Sequence, residues 1–439
     1  MNQNDDFSLN GDTRSNSINQ YRQSSINSNS DDKISSASNG ASAMLLPNGR
    51  VIAWGDERYG GQIPLEIAQL QDIVSISATR SSFAALRANR SVVAWGFKDR
   101  GGEVPSEIAE LQDIVSLSAT GGAFTALRTN RSVVTWGDPN WGGEEIPDDI
   151  ARLQDIVSIS TTGSAFAALR ANRSVVAWGD DSEGGQVPLE IARLQDIVSI
   201  SAGGNAFAAL RTNRSVVAWG LVSSGGQVPP EIARLQDIVS LSAASGAFTA
   251  LRANGSIVSW GTDNWGGQVP PDIAKLRDIV CLIGGNSAFA ALRANRSVVV
   301  WGNSFFGGVI PPEIATLKDI VSVETTGSAF SALRADRSVV SWGINGGGSI
   351  RVPSEVAKLK DIVSLRAGAD AFAALRANGS VVAWGSPRLN AQIPPGIARL
   401  QDIVSLSASR GSFSVLRANG ERLAWDVGND NIVHSEYDD

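Results

Sequence analysis

Tryptophan followed by glycine, or a close relative of that pair, returns along this chain with an almost constant period. Trp54, Trp95, Trp136, Trp178, Trp219, Trp260, Trp301, Trp342, Trp384 and Trp425 stand 41, 41, 42, 41, 41, 41, 41, 42 and 41 residues apart. Such a period means one small supersecondary unit copied many times, each copy burying its apolar face against the next. It also sorts the residues. Those that recur belong to the scaffold, and those that break the repeat are where function is to be sought.

One period, Gln195 to Glu231, shows the unit. Asp196-Ile197-Val198-Ser199-Ile200-Ser201 alternates and is β-branched, which reads as a strand. A small-residue turn over 202–205 leads to a second strand, Ala206 to Arg211. Thr212-Asn213-Arg214 reads as a tight hairpin, and Gly255 and Gly379 replace the Arg in two copies, where a positive φ is easiest. Ser215 to Gly220 is a third strand. A variable loop, Gly225-Gly226, a short extended Gln227-Val228-Pro229 and a helical turn through Glu231-Ile232-Ala233 complete the period. Three or four short antiparallel strands per 41 residues predict an all-β fold, a β-propeller. The second and third strands occur ten times and the D-I-V strand nine, so nine or ten blades are expected. An open, curved β-array is the alternative.

No break in composition interrupts residues 41–425, so they read as one array. Residues 1–40, with 10 Ser and 8 Asn, cannot bury enough surface to offset the entropy of ordering and are expected to be a disordered tail. Residues 426–439 read as a second, acidic tail. The net charge of −7 divides into −2 on residues 1–40 and −5 on residues 426–439, which leaves the repeats near zero. That is not the basic footprint of nucleic-acid binding, and no nucleic-acid partner is expected. Neither a membrane span nor a secretory signal peptide is recognisable, so the expected setting is the cytoplasm, or export without a cleaved signal. A Ser- and Asn-rich leader of this kind is similar to those of bacterial type III secreted effectors, a delivery reading that stands beside that of a plain flexible tail.

The repeat resembles that of the regulator of chromosome condensation and the type II β-lactamase inhibitory protein. Ile197-Val198, Ala209-Leu210, Asn213-Arg214, Val217-Ala218-Trp219-Gly220 and Gly226-Gln227 match the superfamily pattern in register, and the match recurs over residues 41–425. The resemblance implies propeller repeats and says little of function. Three departures bear on it. The family's His-Ser becomes Ala-Phe, as in Ala206-Phe207. The copy number exceeds the family's usual blade count. No repeat carries an insertion that could form the wedge on which the family's nucleotide exchange depends.

Catalytic chemistry is hard to place. The single histidine, His434, lies in the acidic tail, which excludes His-based metal sites and Ser-His or Cys-His pairs; no metal and no cofactor is expected. Cys281 replaces a Ser of the D-I-V strand and reads as a small packed thiol. Asp72 through Asp402 and Arg87 through Arg417 recur nine times each, and a ninefold catalytic residue makes no sense. They read as ion pairs within turns or between blades. The Asn-Arg-Ser tripeptides, Asn89 to Ser91 among them, read as hairpin turns rather than glycosylation acceptors. The chain is expected not to be an enzyme.

The loop after each Trp-Gly differs in every copy: DERY, FKDR, DPNW, DDSE, LVSS, TDNW, NSFF, ING and SPRLN. Equivalent loops of a propeller leave one face, so Tyr59, Phe97, Arg100, Trp141, Trp265, Phe305, Phe306 and Arg388 are expected on one rim. Aromatic and Arg anchors on a rigid rim are the material of protein-binding hot spots. An aromatic before Gly can equally cap its own blade. A second variable set, including Thr79-Arg80, Gly204-Asn205, Ala369-Asp370 and Ser409-Arg410, is expected on a minor candidate face. The leading expectation is a non-catalytic propeller that binds a protein partner through the Trp-Gly loops. Inhibition of an enzyme such as a β-lactamase, and regulation of a small GTPase, are what the resemblance adds. Carbohydrate stacking on Trp141 and Trp265 is a further alternative.

Overall fold

The computed structural model describes residues 34–37, 40–143, 146–345, 348–385, 391–427 and 432–436. Ten antiparallel sheets follow one another along them, nine of three strands and one of four. In the fifth, Ile197–Ala202, Ala206–Arg211 and Val216–Gly220 lie side by side in that order. First strands of consecutive sheets touch each other. They therefore surround the axis, and the sheets radiate from it as the blades of a β-propeller.

The middle strand explains how the blades stack. Successive side chains point to opposite faces. Ala206 and Ala208 pack with Phe248 and Trp260 of blade 6, while Phe207 and Ala209 pack with Ala165 and Ala167 of blade 4. A strand covered on both faces must be apolar at every position, which is why Ala-Phe-Ala-Ala-Leu does not alternate. The hydrophobic core is thus a set of layers between blades, with a large Phe facing small alanines that let the sheets close up. In the inner strand, a bulge at Val198 leaves that side chain half exposed.

Each blade is then tied to the next. Phe207 lies opposite Trp219 with the rings stacked at 5.3 Å, an arrangement worth about 0.5–1.5 kcal/mol beyond burial. The Trp219 indole donates to the carbonyl of Gly184 in the loop of blade 4, at 3.1 Å. Trp95, Trp136, Trp260 and Trp301 do the same to Gly60, Gly101, Gly225 and Gly266. Asp196 and Arg211, fifteen residues apart, pair at 2.9 Å within one blade, as do the other eight such couples. At about a quarter to a third exposed they contribute roughly 0–1 kcal/mol each. Asn213 Oδ1 accepts from the Ser215 amide and hydroxyl, so the tripeptide is a turn.

Blade 1 comprises Ile34–Ala37, Ala41–Leu45 and Val51–Gly55; blade 10 comprises Ile403–Ala408, Ser412–Arg417 and Arg422–Asp426. The first strand of blade 1 touches blade 10 on one side and blade 2 on the other. The ring is closed, with ten blades, and the termini share none. The expected boundary at residue 40 moves accordingly. Ile34, within the segment taken as a tail, is buried with Met44, Leu46, Ile52, Trp54 and Ala424. Residues 1–33 lie outside the described residues.

The closing junction differs from the others. Blade 1 carries Ser42 where the other blades have Phe, and blade 10 carries Asp426 where they have Gly after Trp. His434, expected in a tail, instead bridges Ala424 through both backbone hydrogen bonds and stacks its ring on Trp54 at 4.1 Å. The imidazole takes the place of the missing Phe. Asp426 accepts from the Trp54 indole at 2.8 Å and from the Ser412 hydroxyl, and Ser412 reaches Ser42 at 2.7 Å. Burial of the Asp426 carboxyl opposes ionisation, but hydrogen bonds from His434, Ser412 and Trp54 outweigh it and hold its pKa below 3.8. A carboxyl held low stabilises the fold above its unfolded pKa and loses that contribution as the pH falls through its folded one. Asp426→Ala is therefore expected to cost about 1–3 kcal/mol at neutral pH. In urea denaturation the gap between the two chains should narrow below about pH 4. A gap independent of pH would mean that the carboxylate does not clasp the ring.

Candidate functional site

The three strands of a blade run up, down and up. The turn between first and second strands and the loop after the third therefore leave the same end. The two variable sets, expected on separate faces, form one face. Hydrogen bonds bind them together: the Thr120 hydroxyl donates to the Trp141 carbonyl at 2.8 Å, and Ser82 to that of Arg100 at 2.9 Å. Nearer the axis, backbone amides link turn to turn. Arg80 donates to Gly121, Gly121 to Gly163, Gly163 to Gly204, Gly204 to Ser245 and Ser245 to Asn286, each at 2.8–2.9 Å. The inner rim of this face is a rigid collar.

Seven of the Trp-Gly loops fold as one 3-10 turn: Glu57–Tyr59, Lys98–Arg100, Pro139–Trp141, Asp181–Glu183, Val222–Ser224, Asp263–Trp265 and Ser304–Phe306. Each ends at a left-handed glycine. Asp56, Asp138, Asp180 and Asn303 start theirs by accepting from a backbone amide two residues on. With the turn fixed, position decides role. The third residue leans over its own blade, and the two before it point to solvent.

The predicted residues divide on this rule. Trp141 and Trp265, at the third position, are half-buried. Trp141 lies so close to Gly121 and Gly122 that a Cβ on Gly122 would meet it at 2.9 Å, and the Arg80 guanidinium sits 4.7 Å from its ring centre. Trp265 lies on Gly246, where a Cβ would meet its ring at 2.4 Å. Phe306 packs into the layer between blades 7 and 8. Tyr59 is half-buried, 6.5 Å from the Phe97 ring and covered by Arg58 at 5.3 Å. Arg100 reaches Ser81 at 3.5 Å and Asp138 at 3.9 Å. Phe305, at an outward position, is 64% exposed, and Phe97, which precedes its turn in the place that Asp or Asn holds in four others, is 41% exposed. Arg388 lies outside the described residues. Leu221 and Val222, neither aromatic nor basic, are 39% and 63% exposed on the same rim. Their place in the variable loop is the sequence signal that marks them.

Two apolar arcs result, one over blades 1 to 3 (Tyr59, Phe97, Trp141) and one over blades 5 to 7 (Leu221, Val222, Trp265, Phe305). Between them stands the acidic loop of blade 4, whose Glu183 accepts from Ser164 of its own blade and from Asn205 of the next. Among the described residues no group of three or more His, Cys, Asp or Glu is placed to hold a metal, and no helix is long and apolar enough to cross a membrane. Cys281 is half-buried, and burial pushes its thiol up to about 11, away from the reactive thiolate.

No protein-family model matches the sequence, and no curated protein sequence does. Solved structures similar to it include the ectodomain of the receptor kinase CR4 from Physcomitrella patens, at 21% identity over 64% of this chain and 75% of that one, TM-score 0.38. Human WBSCR16 is similar at 18% identity over 71% and 94%, TM-score 0.37. Prp20p from Saccharomyces cerevisiae is similar at 19% identity over 67% and 75%, TM-score 0.33. None of these likenesses bears on what this chain binds.

If Trp265 is held by the glycine beneath it, Gly246→Val should push the indole off the turn. The expected result is a rise in acrylamide quenching of tryptophan fluorescence with a loss of about 1–3 kcal/mol in stability. Unchanged quenching would show that the ring does not rest on that turn.

Proposed function

We propose that the chain is a non-catalytic β-propeller that binds a protein partner through the face carrying the Trp-Gly loops. The observation that carries this reading is the exposure of Phe97, Leu221, Val222 and Phe305 on loops of fixed shape. None of these side chains caps its own blade. Apolar groups held in water on a rigid frame lose little entropy when a partner covers them, which is the physical basis of a hot spot. The exposed-patch argument applies here because the apolar positions recur in equivalent loops and an acidic loop separates them. Trp141, Trp265 and Phe306 serve instead to hold the loops that present them. Trp141 is taken up by glycine backbone and by Arg80, so its ring is not offered as a free platform for a sugar.

The experiment is crosslinking and affinity capture with the intact chain beside Phe97→Ala/Val222→Ala/Phe305→Ala, followed by titration of the captured protein. All three positions are exposed, so the variant should melt at the parent temperature while losing about 2 kcal/mol or more of binding. A partner that binds both chains equally would remove this face from consideration.

A further inference from the structure

The opposite face carries a feature that the fold does not need. In each complete blade the hairpin between middle and outer strands holds one residue in the left-handed region. It is Gly49, Gly255, Gly379 and Gly420 in four blades, and Arg90, Arg131, Arg173, Arg214, Arg296 and Arg337 in the other six, at φ of 62–67°. The conformation has a purpose: the carbonyl of this residue accepts from the Ile that opens the next blade, as Arg90 does from Ile114 and Gly255 from Ile279, at 3.0 Å. Glycine serves that purpose without strain, and Arg is resisted in the same place. A Cβ on Gly255 or Gly379 would fall within 2.4 Å of the next blade's backbone.

The Arg side chains do not repay this cost within the fold. All six are exposed, and among the described residues none makes a side-chain hydrogen bond or stands within 4.0 Å of a carboxylate. The neighbouring arginines of the same hairpins, Arg87 and its equivalents, are by contrast fully engaged with Asp. Where blade 6 has Gly255 instead, the residue of blade 7 against it is Arg277, in the position that is Gln in most copies. Cations thus run along this edge from blade 2 to blade 8, with Arg277, whose guanidinium also donates to the carbonyls of Ala274 and Leu276, in the place that blade 6 leaves.

We propose that this arc is a docking surface for an acidic segment of a partner protein. Guanidinium forks suit carboxylates, which they take two hydrogen bonds at a time. A nucleic-acid backbone fits less well. It needs a dense basic track, whereas here acids are mixed with the arginines: the short helices leading to this edge carry Glu107, Asp148, Glu190 and Glu231 as well as the Arg152, Arg193 and Arg234 that end three of them, and the chain is net negative at −7.

The test replaces Arg90, Arg131, Arg173 and Arg214 with Gly in the full chain, the residue that the fold itself uses there in other blades. Binding of a labelled poly-L-glutamate peptide is followed by fluorescence anisotropy at low and at physiological salt, and melting temperature is measured alongside. The intact chain should bind, more weakly as salt rises, and the variant should lose about tenfold or more in affinity while melting at the same or a higher temperature. The proposal fails if the intact chain does not bind, if the variant binds equally well, or if it melts lower, which would make the arginines part of the scaffold. It fails also if duplex DNA competes more effectively than the peptide, which would make the face a nucleic-acid surface. None of these outcomes depends on the Trp-Gly loop face.

Discussion

Contact between a left-handed glycine and the Phe–Trp pair of the next blade sets the geometry of seven successive junctions of the ring. Gly184 must be glycine twice over: its φ is +104°, and a Cβ would meet Phe207 at 2.7 Å. Its carbonyl takes the indole proton of Trp219, the one polar group that the buried pair must satisfy. The loop leading to it is confined as well. Gly61, which follows the first such glycine, would drive a Cβ to 2.4 Å from the carbonyl of Gly55, where that loop began. Loop length is therefore fixed at both ends, and only side-chain identity is free. A face of constant shape and changing chemistry is the consequence.

The same contact shows why the ring closes in another way. Blade 10 has Asp426 where the other blades have Gly after Trp, and blade 1 has Ser42 in place of Phe. The chain instead supplies a carboxylate for the indole and an imidazole for the missing ring, both from its last described residues. Hydrogen bonds to a charged group are directional and sensitive to protonation, whereas the other junctions depend mainly on apolar contact. At the seam, closure is coupled to ionisation.

Periodicity made the scaffold legible. Strands, turns, ion pairs and the Phe–Trp stack repeat nine or ten times, and a signal repeated so often survives any local ambiguity. The first strand, Ile34–Ala37, has one large apolar side chain among small and polar ones, so composition assigned it to the tail. Its place is set by pairing with Ala41–Leu45, which no local pattern announces. His434 escaped for a similar reason: a single bridge leaves no periodic trace. The alternation of strand direction, legible from the predicted strands, places the two variable sets on one face. Phe305 and Phe306 look alike in the sequence, and one residue of difference on a 3-10 turn sends one outward and the other into the core.

Residues that break the repeat are of two kinds, and local physics tells them apart. Trp141 and Trp265 break it together with Gly122 and Gly246, the glycines their rings require; loop and turn vary as one fitted unit, and packing accounts for both. Such residues are scaffold in disguise. Val222 and Phe305 vary with no fitted partner, Phe97 meets the Tyr59 ring at 6.5 Å, and all three remain exposed to water at a hydration cost that folding does not recover. The hairpin arginines go a step further, since their backbone positions favour glycine and six blades carry Arg regardless. A side chain that its surroundings do not use, and that its backbone resists, has no reason in the folded monomer. On both faces of the ring the residues with no such reason are exposed, and they are where contact with other molecules is to be sought.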